Sequence, residues 1–260
     1  MSKLISLLSL SFLFSFSSFS SAHDLMAAIQ SEDRTPKNVV RDEFRNPAET
    51  LSFFQIKPDM RVVELSPGGG WYTEILANYL HEPGILIAAH FDKDSEVGYF
   101  KRSRTNFEKK IASSPIYANV EIVDLNSNLA EENSVDAVIT FRNLHNWLGP
   151  QMDSIFANSF KALKPGGIFG VVEHRANSGT SIDDMKKSGY VTEEHAIMIA
   201  KKHGFVLEAK SEINANSKDT KDHPRGVWTL PPSLRLKEVD RDKYLSIGES
   251  DRMTLLFKKP

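Results

Sequence analysis

A glycine-rich turn is the part of the sequence whose residue types most clearly suit ligand binding. Residues 61–65, RVVEL, have the pattern of a buried strand, and Ser66-Pro67-Gly68-Gly69-Gly70 follows directly, ahead of residues with helical apolar spacing. Glycine lets a backbone approach a ligand closely, and the start of a helix offers unpaired N–H groups. The pattern therefore predicts a strand–turn–helix unit that binds a small molecule, with a tight turn that binds nothing as the alternative.

Two classes of cofactor use such a turn. A dinucleotide site needs G-x-G-x-x-G and an acid at the end of the second strand. Here Thr73 replaces the third glycine, and the second apolar run ends at His90, with Asp92 two positions later. Glu64 instead places a carboxylate at the end of the first strand. This position suits a cofactor that carries an ammonium and a sulfonium better than one that carries a pyrophosphate.

Polar side chains follow two further apolar runs, VDAVITF and IFGVV. In an open α/β sheet, ligands bind outside the carboxyl ends of the strands, so both sets are expected at one edge. His145 is a candidate general base and Asn143 a candidate positioning group. His174 is a further catalytic candidate, and Arg175 is a candidate ligand for an anionic substrate. The alternatives are that these groups hold loops together or form a structural ion pair or cap.

Seven strands and the helices between them must position these side chains. Strand patterns occupy residues 61–65, 85–89, 120–123, 135–141, 168–172, 205–213 and 254–258, and helical patterns occupy 71–80, 100–111, 152–163 and 192–203. Residues 24–56 are predicted to be amphipathic and helical, with one helix that begins at Pro47, is capped by Asn46 and ends near Gln55. The alternation predicts an α/β fold with a parallel sheet and a closing antiparallel pair of strands. Residues 214–236 are predicted to form a long, packed loop.

Several of these motifs together resemble class I S-adenosylmethionine-dependent methyltransferases. They are ELSPGGGWYT at 64–73, TFRNLHNW at 140–147 and LKPGG at 163–167. With EHRA at 173–176 and DTKDHPRGVWTLPPS at 219–233, the chain more narrowly resembles a family of exported bacterial predicted methyltransferases. The resemblance implies a Rossmann-like seven-stranded sheet, mostly parallel with a terminal antiparallel strand and with helices on both faces. It also implies S-adenosyl-L-methionine as the cofactor.

The same resemblance implies a cofactor site, residue by residue. The positions that match are Glu64, Ser66, Gly68, Gly70, His90, Asp92, Asp124 and Leu125. Glu64, Gly68 and Gly70 would cradle the methionine part of the cofactor, and Ser66 stands where such folds usually have their first glycine. His90, with Asp92 nearby, stands where an acid usually meets the ribose, and the last two match the adenine position.

Composition limits the classes of function that remain. The chain has 260 residues, 40% of them hydrophobic, no cysteine and a formal charge of -2. The lack of cysteine excludes disulfides, thiolate zinc sites and thiol nucleophiles. Near-neutrality gives no field for nucleic acid or an anionic membrane, so a small-molecule substrate is the predicted partner. The sequence carries no signal for an oligomeric state.

The first 22 residues have the pattern of a cleavable export signal. Lys3 precedes a run of Leu, Ile, Phe and Ser, and Ser20-Ser21-Ala22 supplies small residues before a cleavage site at His23. We therefore expect a periplasmic protein without stable membrane insertion after cleavage; an uncleaved anchor is the alternative. Residues 23–260 are expected to form a single domain. Its parts are a helical cap (23–60), a cofactor-binding core (61–213), a long loop (214–236) and a C-terminal segment with the last strand (237–260).

These expectations combine into one main hypothesis and two alternatives. The main hypothesis is transfer of a methyl group from S-adenosylmethionine to a small-molecule acceptor. The first alternative is a binding module that keeps the fold without turnover, because export separates the protein from the cytosolic cofactor and His90 changes the ribose position. The second is a metal-assisted hydrolase with His145, Glu173, His174 and His223 around the metal. No local ligand spacing supports a metal, so none is predicted.

Overall fold

A single mixed sheet of seven strands forms the centre of the computed structural model, which describes residues 25–260. The strands are β1 (Arg61–Leu65), β2 (Ile85–His90), β3 (Val120–Asp124), β4 (Val135–Phe141), β5 (Leu163–His174), β6 (Val206–Ser211) and β7 (Arg252–Lys258). Their spatial order is β3-β2-β1-β4-β5-β7-β6. Strands β1 to β5 pair in parallel, whereas β7 is antiparallel to both β5 and β6. The predicted fold class is confirmed, including the closing antiparallel pair.

Helices cover both faces of this sheet. They are α1 (Pro36–Val39), α2 (Asp42–Arg45), α3 (Pro47–Phe53), α4 (Trp71–Tyr79), α5 (Gly98–Ile111), α6 (Leu144–Trp147), α7 (Pro150–Ala162), α8 (Ile182–Ser188), α9 (Glu193–Lys202) and α10 (Arg241–Ile247). Neighbouring side chains of a strand point to opposite faces. Accordingly, Val62 packs in one core with Ile75 of α4, and Val63 packs in a second core with Phe156 of α7. Both faces of β1 are therefore buried, as a parallel strand requires.

The reversal of strand order between β1 and β4 decides where a ligand can bind. From β1 the sheet grows through β2 and β3 on one side, and through β4 and β5 on the other. Such a reversal leaves a crevice outside the carboxyl ends of the two central strands. Leu65 pairs with Thr140 at this end, so the glycine turn and the loop after β4 begin side by side.

The N-terminal helical stretch differs from its prediction in two ways. It is divided into short helices because Pro36 and Pro47 lack an N–H group and each begins a new helix. The helix that begins at Pro47 is confirmed and ends at Phe53. Asn46 occupies the predicted N-cap position, and its carbonyl accepts from the Thr50 N–H at 2.9 Å. Its side chain does not cap the helix: φ is left-handed, at 42°, and Nδ2 donates to the Ile213 carbonyl at 2.8 Å.

Three helices, α6, α8 and α10, are absent from the sequence prediction. They have only four to seven residues, too few for a helical apolar period to be visible. Residues 214–236 do form a packed irregular segment, interrupted by a short 3-10 helix at Gly226–Thr229. Asp219 anchors this segment: it is buried, and its carboxylate accepts from the Tyr190 hydroxyl at 3.0 Å and from the Asp251 N–H at 2.8 Å.

Within residues 25–260, no helix combines the length and the apolar character needed to cross a bilayer. The predicted export signal at residues 1–22 lies outside the described residues.

Candidate functional site

Two cavities lie at the carboxyl edge of the sheet. The larger, of about 780 Å³, is lined by the glycine turn, the loop after β4, α5 and the N-terminal helices. The smaller, of about 200 Å³, is lined by His145, His174 and Trp228 among others. Arg142 lines both cavities. The crevice predicted from strand order therefore contains a large binding site and a second space beside it.

The glycine turn presents its backbone to the larger cavity. Gly68 has a φ of +59°, and no atom lies within 4 Å of the point where its Cβ would stand. Ser66 also has a positive φ, of 48°, and its buried Oγ has no hydrogen-bond partner among the described residues. Gly70 does not line the cavity; a Cβ there would approach Phe107 and Lys110 at 3.2 Å. An open backbone and an unpaired hydroxyl fit the amino-acid portion of the predicted cofactor.

Glu64 lies buried beside this turn. Its Oε2 accepts from the Thr73 hydroxyl at 2.6 Å, and it borders a narrow space of about 30 Å³ together with Ser66 and Arg45. Burial raises the pKa of Glu64 to about 7, although the hydrogen bond from Thr73 acts in the opposite direction. A carboxyl group with this pKa becomes ionised when an ammonium group is placed against it, because an opposite charge favours the charged form.

The position expected to meet the ribose is occupied by the protein's own hydrogen bonds. His90 is 1% exposed, its Nδ1 accepts from the Phe91 N–H at 2.7 Å, and its Nε2 therefore donates to the Gly68 carbonyl at 3.3 Å. Burial lowers the pKa of His90 to about 4, so the ring is neutral at physiological pH. Both ring nitrogens thus serve the backbone and tie the end of β2 to the glycine turn.

The other residues predicted for the nucleoside part are also engaged elsewhere. Asp124 accepts from Arg104 Nη1 at 2.8 Å, and the N–H of buried Leu125 donates to the His90 carbonyl at 2.7 Å. Asp92 is exposed, and its Oδ1 accepts from the Asp94 N–H at 2.9 Å. Neither these three residues nor His90 line the larger cavity. The structure therefore gathers the methionine side of the predicted site, whereas the ribose and adenine contacts stay predictions.

His145 and Glu173 form a hydrogen-bonded pair at the smaller cavity. His145 Nδ1 lies 2.9 Å from Glu173 Oε1. Glu173 is fully buried and also accepts from the N–H groups of Leu144, at 2.5 Å, and His174, at 2.8 Å. A carboxylate can only accept here, so Nδ1 of His145 carries the proton and Nε2 is left to act as a base. The predicted base is thus oriented by an acid that sequence reasoning did not give a catalytic role.

His174 lies beside this pair, with its ring centroid 5.2 Å from that of His145 and its Nδ1 2.5 Å from Ser250 Oγ. Potential ligand atoms of His145, Glu173 and His174 lie within 4.8 Å of one another, so three of the four residues named for the metal-assisted alternative come together. Burial, His145 and then Arg142 lower the pKa of His174 well below its ordinary value. The lowered pKa keeps the His174 ring neutral, the form in which a histidine either accepts a proton or binds a metal. His223 is hydrogen-bonded at 2.8 Å to Asp219 instead.

Asn143 and Arg175 make extensive contacts within the protein. Asn143 Nδ2 donates to Leu65 O and Thr140 Oγ1, both at 3.1 Å, which fastens the loop after β4 to the end of β1. Arg175 binds Asp251 and Glu212 through both arms of its guanidinium and also pairs with Glu193; it lines neither cavity. Asn143 thus holds two loops together and Arg175 forms structural ion pairs, as the alternatives from the sequence describe. Their predicted roles toward substrate stay predictions.

Sequence reasoning missed an arginine cluster that borders the larger cavity. Four guanidinium groups surround the buried carboxylate of Glu249: Arg41 Nε at 2.7 Å, Arg45 Nε at 3.3 Å, Arg252 Nη1 at 3.3 Å and Arg142 Nη1 at 3.8 Å. Burial alone would raise the pKa of Glu249, but the four guanidinium groups lower it to about 2. The cluster joins the N-terminal helices, the loop after β4 and β7. The only local signal was Arg142 inside the TFRNLHNW motif, since the other members are far apart in the chain.

Comparison with known proteins supports the methyltransferase interpretation. Residues 63–171 match the family described as "Methyltransferase domain". A SAM-dependent methyltransferase from Aquifex aeolicus has 18% identity and a TM-score of 0.55, over 72% of this chain and 92% of that chain. A geranyl diphosphate methyltransferase in complex with SAM has 11% identity and a TM-score of 0.59, over 90% and 95%. The cyclase SpnF has 14% identity and a TM-score of 0.62, over 94% of both chains. Among curated proteins, none matches.

The fold of this chain is therefore the Rossmann-like methyltransferase fold. The domain match and the structural neighbours also support S-adenosylmethionine as its cofactor.

The ionisation of Glu64 gives a pH-dependent stability. Its pKa is raised from 4.5 to about 7 in the folded protein, so the folded state keeps a proton that the unfolded state releases between these values. The free energy of unfolding should fall as pH rises through this window, by roughly 3 kcal/mol in total.

Glu64→Gln should remove this contribution, so its stability relative to the parent protein should increase from about pH 5 to pH 8. Urea unfolding across this range measures the difference, with exposed Glu121→Gln as the control. Parallel stability curves for Glu64→Gln and the parent protein would contradict the assignment.

Proposed function

We propose that this chain is an S-adenosylmethionine-dependent methyltransferase that acts on a small-molecule acceptor. The observation that carries the proposal is the open glycine turn at residues 66–70, which borders the larger cavity at the reversal of strand order. It lies inside the segment that matches the methyltransferase domain.

The residues of the turn provide the cofactor contacts of the proposal. When bound, S-adenosylmethionine supplies a methyl group carried on a sulfonium. The backbone at Gly68, the free Oγ of Ser66 and the carboxyl group of Glu64 would hold its amino-acid portion. His90 and Asp124 already make hydrogen bonds within the protein. The nucleoside portion of the cofactor would therefore be held by the shape of the cavity and by other groups, or by these two residues after a local rearrangement.

The smaller cavity is the proposed acceptor site. Methyl transfer is an in-line displacement, so the protein must hold the acceptor atom in line with the methyl group and exclude water. Nε2 of His145 would take the proton from an oxygen or nitrogen acceptor, while Glu173 holds the ring and stabilises its charged form. Trp228, whose ring lies 5.9 Å from that of His145, would form an apolar wall.

The fold alone does not decide the reaction, because unrelated chemistries share it. The neighbours include a geranyl diphosphate methyltransferase, which supports a small-molecule acceptor, and also a cyclase. The second candidate is a binding module without turnover. It is favoured by a specific observation, namely that the ribose and adenine positions are filled by internal hydrogen bonds.

We also propose that the protein is exported to the periplasm, as in the exported bacterial family that it resembles. The support is the sequence pattern of residues 1–22, with Lys3, an apolar run and Ser20-Ser21-Ala22.

Cofactor binding tests the proposal first. Gly68→Val should abolish binding of S-adenosylhomocysteine in calorimetry, because a branched side chain would enter the open space over the turn. Gly166→Val is the matched control: Gly166 also has a positive φ, of +78°, and open space at its Cβ. It lies near the start of β5, between the β4-paired residues Leu163 and Ile168, at the other end of the sheet. Equal binding by folded Gly68→Val, or no binding by the parent protein, would contradict the proposal.

Catalysis separates the enzyme from the binding module. Incubating the protein with methyl-labelled cofactor and fractionated cell extract, followed by mass spectrometry, should identify a labelled product. His145→Ala should then lower turnover by roughly 10²–10⁴-fold with little change in cofactor affinity. His203→Ala serves as the control, because that histidine pairs with Asp153 away from both cavities. Unchanged turnover in a stable His145→Ala protein would remove His145 from the mechanism, and no labelled product would favour the binding module.

Export predicts a mature chain that begins at His23. Sequencing the N-terminus of protein purified from its native host measures this directly. An intact Met1 in the cytosolic fraction would refute the export proposal.

A further inference from the structure

The wall of the larger cavity carries an excess of positive charge. Its cationic members are Lys37, Arg41, Arg45, Arg102, Lys110 and Arg142, and none of the described residues that line it is an Asp or Glu. Lys110 is paired at 2.5 Å with Glu74, so it is already balanced. The arginines that surround Glu249 are not balanced in this way.

The cluster around Glu249 contains more positive than negative charge. Four guanidinium groups share this one carboxylate. Asp251, the next acid along the chain, is already bound by Arg175 and Lys221. The largely buried cluster therefore carries three positive charges more than this carboxylate neutralises. Burying an unpaired charge is costly, so a bound anion would stabilise this arrangement.

The unpaired donors of Arg45 indicate where such an anion would bind. The side chain is 2% exposed, and its Nε is the atom that reaches Glu249. Its Nη1 and Nη2 are buried and have no hydrogen-bond partner among the described residues. The guanidinium carbon lies 4.6 Å from the centre of the Trp71 ring, which holds the group in place beside the cavity. Two adjacent N–H donors on one guanidinium match the two oxygens of a carboxylate or phosphate.

The predicted cofactor adds no net negative charge. Its single carboxylate is outweighed by its own ammonium and sulfonium, so S-adenosylmethionine brings a net positive charge into the cavity. Arg142 lines both the larger cavity and the smaller one that contains His145. An anion at Arg45 and Arg142 would therefore belong to a molecule that extends toward the proposed base.

We propose that the methyl acceptor is an anionic small molecule whose carboxylate or phosphate group binds between Arg45 and Arg142. Arg41 adds a third positive charge to the same wall. This inference rests on the proposed function, because it names the substrate class of that site. Binding of the cofactor's carboxylate by the same arginines is the competing explanation, and the titrations below distinguish the two.

Calorimetry with inorganic phosphate and pyrophosphate tests the inference without any turnover. The full chain is titrated alone, after saturation with S-adenosylhomocysteine, and after saturation with 5′-methylthioadenosine, which lacks the amino-acid portion. We expect pyrophosphate to bind the protein already saturated with S-adenosylhomocysteine. Arg45→Met and Arg142→Met should each weaken pyrophosphate binding by roughly tenfold to a hundredfold, the effect of losing hydrogen bonds to a charged group. Arg61→Met, at the opposite end of β1, should leave pyrophosphate binding unchanged.

Two results obtained with the parent protein would overturn the inference and leave the proposed function intact. One is that S-adenosylhomocysteine binds but neither phosphate nor pyrophosphate does. The other is that S-adenosylhomocysteine displaces pyrophosphate while 5′-methylthioadenosine does not, which would assign the arginines to the cofactor's carboxylate. An equal loss in Arg61→Met would also overturn it, since binding would then be non-specific. If S-adenosylhomocysteine itself does not bind, the proposed function fails and this inference fails with it. Because Arg45 is one of four guanidinium groups that share Glu249, three remain on this carboxylate after its replacement, so Arg45→Met should fold. Arg142→Met provides an independent second variant.

Discussion

The buried carboxylate of Glu249 is the interaction on which the site depends. It is contacted by Arg41 and Arg45 from the N-terminal helices, by Arg142 from the loop after β4 and by Arg252 from β7. Three separate parts of the chain thus converge on one charge. Because an isolated charge in the interior is very costly, removing this carboxylate would leave four guanidinium groups repelling one another. The arginines in the wall of the larger cavity are therefore held by a shared ionic contact as well as by apolar packing.

The parallel sheet provides the other half of the site. Reversal of strand order at β1 and β4 brings the glycine turn next to the loop that carries Arg142 and His145. Asn143 then fastens the two loops by donating to Leu65 O, Ser66 O and Thr140 Oγ1. One rigid edge of the sheet thus supports both the open turn and the oriented histidine, so two ligands held there would keep a fixed relative position.

The two ends of the larger binding region differ in chemical character. At the methionine end, the backbone of Gly68 is open and polar atoms of Ser66 and Arg45 lack partners. At the nucleoside end, backbone groups of Gly68 and Phe91 satisfy His90, and Arg104 satisfies Asp124. Unsatisfied buried polar groups are rare in folded proteins, so their concentration at one end indicates where a ligand contributes most to stability.

The sequence by itself determined the order of the strands along the chain, the glycine turn and the position of His145 after β4. These features are local: apolar runs, glycines and turn residues encode them within about ten positions, and a parallel sheet then brings the strand ends to one edge. Only the tertiary structure decided which side chains pair with one another. Glu173 orients His145 across 28 positions, and Arg41 meets Glu249 across 208. Such pairs leave no periodic signal, because the pairing depends on how strands β4, β5 and β7 and the N-terminal helices pack. The hydrogen bond from His90 to the glycine turn is likewise a tertiary contact, whereas the ribose role that the resemblance implies for this residue stays a prediction.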